Sequence, residues 1–260
     1  MSFKNPLFIR FPKIGDIELS RITISKNTLQ AHYHDTFSFT VVESGTQIFN
    51  VKNTKHIVEE GKISCTNPFE VHQTLIINGE SCQYMSVYVP FELLVTEGKW
   101  PYIASPVLED AKLRKLLLEL LDMKDKALDY KKKYLKSLLT QIKKYCTYHA
   151  GQKEDIYKNP GIVDKYVDEN LSVQVKLPEL AGYFNEDQFK FSRQFKDQHG
   201  LSPINYVIIR KLHWAKKEIK KNASLTDVAF NNGFYDQSHF IRFFKRVFGI
   251  TPSYYKRCLD

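Results

Sequence analysis

Two sets of side chains in this 260-residue chain have the types and spacing to do chemistry. The first is a set of imidazoles: His32 and His34 in AHYHDTF (31–37) and His72 in PFEVHQTL (68–75). An H-x-H pair on a strand puts both rings on one face, and a third imidazole can complete a metal-binding triad. The same rings serve equally as polar groups in a small-molecule pocket or as satisfied structural histidines.

The second set lies near the C-terminus, where NNGFYDQSHFIRFFKRVFGITPSYYKRC (231–258) weaves aromatics through cations. At helical spacing Phe240, Phe244, Val247 and Phe248 share one face. Gln237, Ser238, His239, Arg242, Lys245 and Arg246 occupy the rest. Asp236 stands where an N-cap would, and Gly249 followed by Pro252 marks the other end. A guanidinium can pair in bidentate fashion with guanine O6/N7, and a carboxamide with adenine N6/N7. Solvation is the plainer use of such a face, so the rest of the chain has to decide between them.

Charge distribution favours recognition. The net charge is +9, yet 176–259 carries 15 basic and 7 acidic residues while 1–175 carries 23 and 21. A basic last third implies a polyanionic partner, nucleic acid or an anionic membrane surface. The hydrophobic fraction of 43% suffices for packed cores, and the length suits one large or two ordinary domains. No apolar run has signal-peptide or membrane-spanning length, and Cys65, Cys82, Cys146 and Cys258 form no C-x-x-C pair. The expectation is a cytoplasmic protein with reduced thiols.

Short segments rich in β-branched and aromatic residues fill 7–95: 18–25, 37–44, 46–53 and 81–90. Gly15, Gly45, Gly61 and the Asn78-Gly79 pair punctuate them as turns. This spacing predicts a sandwich or a small barrel. The aromatics Tyr33, Phe37, Phe39, Tyr84 and Tyr88 either line a pocket there or fill the core. Leucines at helical spacing follow: Leu113, Leu116, Leu117, Leu120 and Leu121, then Tyr134, Leu135, Leu138, Leu139 and Ile142 up to 149. They predict a helical hairpin over about 107–149, packed on the β-domain or paired between two chains. Polar residues 151–157 read as a linker between domains at 1–150 and 158–260.

The last domain holds an internal repeat. LAGYFNEDQFKFSRQFKDQHGLSP (180–203) overlies VAFNNGFYDQSHFIRFFKRVFGITP (228–252), with Asp187-Gln188 on Asp236-Gln237, Phe191 on Phe240, Arg193 on Arg242 and Gly200 on Gly249. Gly233 is the one extra residue, and Ala181 and Ala229 supply a small side chain where paired helices cross. Each copy predicts a helix-turn-helix. Between them, 203–221 reads as a rod of roughly 27 Å, able to hold two reading helices about one DNA turn apart.

These motifs resemble the bipartite DNA-binding domain of AraC/XylS-family transcription regulators, most closely over DVAFNNGFYDQSHFIRFFKRVFGITPSYYKR (227–257). The resemblance implies base-facing residues early in each long helix: Phe189, Lys190 and Arg193, then Gln237, Ser238, His239 and Arg242. Phe189 is read as a thymine-methyl contact or a core aromatic, and His239 as a base, phosphate or capping group. Arg246 and neighbouring lysines are read as phosphate contacts.

AHYHDTFSFTVVESG (31–45) and GKISCTNPFEVHQTL (61–75) resemble the cupin-like ligand-binding half of such regulators. Metal-binding cupins place a carboxylate just after H-x-H, where this chain has Thr36, Phe37, Ser38 and Phe39. The three histidines are therefore read as polar groups of a metal-free effector pocket or as structural histidines, with Tyr33 lining that pocket or filling the core, and no cofactor is expected.

The fold implied is α+β: a cupin-like β-barrel with a helical hairpin, then an all-α domain with two helix-turn-helix motifs joined by a linker helix. The function implied is a non-enzymatic, effector-controlled regulator acting as a homodimer on double-stranded DNA, and, in the family's commoner mode, an activator that meets RNA polymerase. No membrane role is expected. A metal-dependent cupin enzyme with a nucleic-acid module, and a regulator whose β-domain only oligomerises, are the alternatives.

Overall fold

The computed structural model describes residues 3–25, 29–77, 81–157 and 161–259. The expected Asn78-Gly79 turn and the first residues of the second domain, 158–160, lie outside these. The chain divides into two compact units. One comprises 1–28 and 34–159; the other comprises 160–260 together with the short segment 29–33.

The first unit is built on a six-stranded antiparallel sheet in the order β1-β2-β8-β3-β6-β10. Its strands are β1 (Phe3–Phe11), β2 (Ile17–Ser25), β3 (Phe37–Ser44), β6 (Ile63–Thr66), β8 (Ser81–Val89) and β10 (Val107–Leu108). A three-stranded sheet holds β5 (Thr54–Glu59), β4 (Thr46–Val51) and β7 (His72–Ile76). Finally β9 (Trp100–Ile103) pairs with β11 (Cys146–His149). The described strands form no closed barrel, which corrects the barrel expectation to two packed sheets. Gln47 on β4 bridges them, donating from Nε2 to Ser64 Oγ on β6 at 3.0 Å.

Alternation along the strands gives the large sheet two different faces. Leu19, Phe37, Phe39, Val41, Ile63, Met85, Val87 and Val89 lie on one and are fully buried. Against this unit packs the hairpin of α1 (Ala111–Leu118) and α2 (Leu128–Lys143), joined through a 3₁₀ turn at Glu119–Met123. Leu113, Leu117, Leu120, Leu138 and Ile142 are buried within the unit, while Leu116, Leu121, Leu135 and Leu139 of the same stripe are half-buried. Asp110 caps α1, accepting from Leu113 N at 2.9 Å. Its second oxygen accepts from Gln141 and Tyr145 on the other arm. The hairpin is shorter than 107–149: α2 stops at Lys143, and Cys146–His149 turns back as a strand because it finds a partner edge in β9.

After a one-turn α3 (Lys153–Ile156), the second unit is helical among its described residues: α4 (Gly161–Glu169), α5 (Leu177–Tyr183), α6 (Gln188–His199), α7 (Pro203–Lys220), α8 (Leu225–Asn231), α9 (Gln237–Phe248) and α10 (Pro252–Arg257). The α5–α6 and α8–α9 pairs are the two repeats, and α7 is the rod. At 18 residues it spans about 27 Å. Phe191 and Phe195 in one motif, and Phe240 and Phe244 in the other, are buried. Ala181 and Ala229 are also buried, as a close helix crossing requires.

Candidate nucleic-acid interface

The two long helices begin and end alike. Asp187 caps α6, its Oδ1 accepting from Phe189 N and Lys190 N at 3.0 Å each. Asp236 caps α9, accepting from His239 N at 2.6 Å. Both stop at a left-handed glycine, Gly200 and Gly249, each at φ 76°. Capping fixes the entry angle of each helix and so the direction in which its first turn points.

That first turn is exposed in both copies. Phe189, Lys190 and Arg193 are exposed on α6, as are Gln237, Ser238 and Arg242 on α9. Phe189 keeps 74% of its surface accessible, so it fills no core. Buried phenylalanines at the i and i+4 positions hold the opposite side of each helix.

His239 departs from this pattern. It is half-buried, its ring edge-on to Phe243 at 4.7 Å and to Phe234 at 5.9 Å. Burial, then the neighbouring Arg242 charge, lower its pKa below the ordinary imidazole value. Its capping role is reversed: its own N–H is the group that Asp236 caps. Phe243, to which the sequence drew no attention, is the platform beneath this site. Arg242 and Arg246 both lie over its ring, at 5.6 and 5.1 Å. The i−1 and i+3 spacing of the two arginines from Phe243 was the available signal.

A set of internal ties anchors α7, the helix between the two motifs, to α4 and the loop behind it. Arg210 on α7 forms a bidentate pair with Asp168 on α4, at 3.1 and 2.8 Å. Trp214 Nε1 donates to the same carboxylate at 2.7 Å, and Tyr206 OH to buried Asp164 at 2.7 Å. Lys211, also buried, donates to the carbonyls of Asn170, Leu171 and Val173 behind α4. Gly233, in the turn between α8 and α9, lies against the same loop. A Cβ there would stand 2.7 Å from Val173 O and 2.8 Å from Leu171 O, and its φ of +66° already favours glycine. The extra residue of the second repeat thus sits where backbone approaches backbone.

Cations outside these first turns are partly committed. Lys216 lies over Phe248 and Tyr255, Lys217 over Trp214, and Lys256 donates to Ala223 O at 2.8 Å behind α7.

The boundary between the two units falls between His32 and His34 in the sequence. His34 and His72 belong to the first; both are buried, with ring centroids 5.2 Å apart. His34 precedes β3 and is not part of it, so strand parity does not fix its direction. His72 Nδ1 lies 3.0 Å from Glu70 O, and burial lowers its pKa to about 4. His32 and Tyr33 fall in the segment grouped with the second unit. There Tyr33 is fully buried, stacked 5.0 Å from Tyr206 and 5.5 Å from His213. His32 Nδ1 lies 2.7 Å from Gln30 O.

This geometry agrees with the comparisons to known proteins. Residues 180–257 match the family model described as a helix-turn-helix domain, and residues 15–141 match the AraC-like ligand binding domain. The chain is 26% identical over 222 residues to the HTH-type transcriptional regulator YbfI of Bacillus subtilis, covering 80% of each. It is 24% identical over 240 residues to the HTH-type transcriptional activator RhaS of Yersinia pseudotuberculosis, covering 85% of this chain and 86% of the relative. Crystal structures of ToxT from Vibrio cholerae share the fold. An apo form carrying a lysine-to-alanine substitution superposes with a TM-score of 0.58 at 12% identity, covering 94% of this chain and 98% of that one. A form described as bound to an unsaturated fatty acid gives 0.56 at 12% identity over 100% and 98%. A ligand-binding β-unit followed by a helix-turn-helix unit defines a class of DNA-binding regulators. Within that class, the chain belongs to the AraC family of transcription regulators.

Proposed function

We propose that the second unit reads specific DNA with two helices at once, and that a small molecule bound in the first unit controls the reading. The observation that carries this is the matched pair α6 and α9. Each is capped by an aspartate and presents an exposed first turn with an arginine at the sixth residue, Arg193 or Arg242.

Phe189, Lys190 and Arg193 face bases from α6; Gln237, Ser238 and Arg242 do so from α9. Arg246 contacts phosphate, and His239, held between two rings, orients the turn or touches the backbone. Arginine supplies the bidentate guanine contact and Gln237 the adenine contact. Phe189, with no core to fill, suits a thymine methyl. His34 and His72 belong to the effector site of the first unit. The effector shifts DNA binding only to the extent that it prefers the DNA-competent state. RhaS, named an activator, supports activation through RNA polymerase as the mode of action, with two chains on two half-sites. Such a protein is no enzyme and works in the cytoplasm, where the DNA is.

Selection of bound fragments from a random DNA library by the full chain tests this reading. Enrichment of a common sequence spanning two adjacent major-groove faces is the expected result. Uniform binding that vanishes with salt would reduce the protein to phosphate contacts alone.

A further inference from the structure

The two long helices α6 and α9 are alike in their caps and their arginines, but not in what lies beside the arginines. Counted from the caps Asp187 and Asp236, Arg193 and Arg242 hold the same place. The next residue is Gln194 on α6 and Phe243 on α9. Three positions further on, α6 carries Asp197 and α9 carries Arg246. The internal repeat therefore presents the same motif without and with a ring next to its arginine.

On α9 that ring is a hub. The guanidinium carbons of Arg242 and Arg246 lie 5.6 and 5.1 Å from its centroid. His239 meets it edge-on at 4.7 Å, and Phe234 backs His239 at 5.9 Å. Phe234 is buried and lies 5.1 Å from buried Phe240, which ties the hub to the core of the unit. Phe243 itself is half-buried, so one part of the ring is anchored and another is open to the arginines. On α6 the equivalent Gln194 is exposed and offers no such surface. Arg193 is exposed as well, and Asp197, one turn on, offers its guanidinium a carboxylate in place of a base.

A guanidinium lying over a ring uses its flat face, and its in-plane N–H donors stay free. Those donors make the bidentate contact to guanine. An arginine side chain has many rotamers, and immobilising them opposes binding. A side chain already restricted loses less on contact. It also adapts less readily to a wrong base, and specificity is the difference between the two affinities.

We infer that Phe243 is a positioning residue, which holds Arg242 ready for its base and makes α9 the more discriminating of the two helices. With Gln194 in the equivalent place, α6 tolerates more variation in the bases it meets. This rests on the proposed reading of DNA by both helices.

The test measures binding of the full chain to a sequence selected from a random library, to every single-base variant of it, and to random DNA. Arg193→Ala and Arg242→Ala assign the two segments to α6 and α9. The unmodified chain should discriminate more strongly across the α9 segment. Phe243→Leu keeps the apolar bulk and every charge but removes the π face. It should weaken binding to the selected sequence about threefold more than binding to random DNA, and flatten base preference in the α9 segment only. Its salt dependence should stay as it was, since no cation is lost. Phe243→Tyr retains the ring and should restore the preference. Gln194→Phe, at an exposed position, should sharpen the α6 segment about threefold, and it decides the matter if Phe243→Leu does not fold. Stronger discrimination by α6, an equal loss on selected and random DNA, a tyrosine variant that behaves like the leucine one, or no sharpening by Gln194→Phe would each overturn the inference. If the unmodified chain selects no sequence, the DNA-reading proposal fails and this inference with it. Two selected segments that are indifferent to Phe243 would remove this inference alone.

Discussion

The two units of this protein place their polar chemistry in opposite locations. In the helical unit phenylalanines fill the inside and the hydrogen-bonding forks stand outside, on Arg193, Gln237 and Arg242. In the β-unit one sheet face is an apolar core, while the other buries serines, threonines, an amide and imidazoles. The difference suits two kinds of partner. A DNA duplex is too large to enclose and must be met by an exposed surface whose cations replace its counterions. A small molecule is held best where water is excluded and each polar group has a designated partner.

Acid should separate the two units most strongly. Burial lowers His72 from its ordinary 6.5 to about 4, so in the unfolded chain it takes up a proton first. Its contribution to stability is present in full above pH 6.5 and is lost as the pH falls towards 4. The loss should approach about 3 kcal/mol in urea titrations followed through that window. His72→Gln should flatten the slope; an unchanged slope would move the acid sensitivity elsewhere.

Gly233→Val tests the helical unit alone. Strain at a positive φ and collision with two carbonyls predict a loss of about 2–3 kcal/mol. Gly98, at φ +70° with open space around it, should lose only about 1 kcal/mol on the same change. Equal losses at the two sites would remove the close approach as the reason for glycine.

For DNA, Arg242→Ala and Arg193→Ala should each cost about 1–3 kcal/mol on a selected site and little on random sequence. The caps come last: Asp187→Ala and Asp236→Ala should lower stability by about 1 kcal/mol each in thermal melts. A much larger loss at one cap would show that the two motifs are less alike than their ends suggest.

The helical unit was largely legible in the sequence because its determinants are local. Asp236, Gly249 and the phenylalanines three and four residues apart all act within one helix, and the repeat displayed them twice. Gly233 could be seen as an insertion, but its reason lay in the carbonyls of Leu171 and Val173, roughly 60 residues away. The β-unit was legible only as strands. Which face a strand buries depends on its partners, and β2, β8, β3 and β6 pair out of sequence order. Which buried polar residues share a face therefore appears only once the register is known. Phe37 and Phe39, open to either role in the sequence, point to the apolar core. Tyr33 lies in the other unit's packing, since a short segment carries no periodicity that would reveal where it docks.

The central claim is that two helices read DNA side by side. Its most direct test is base-by-base interference on the selected sequence with the full chain, repeated for Arg193→Ala and Arg242→Ala. The account predicts two protected segments about one helical turn, roughly ten base pairs, apart. Arg193→Ala should relax the sequence preference in one segment only, and Arg242→Ala in the other only. A single protected segment, or the same bases relaxed by both substitutions, would contradict it.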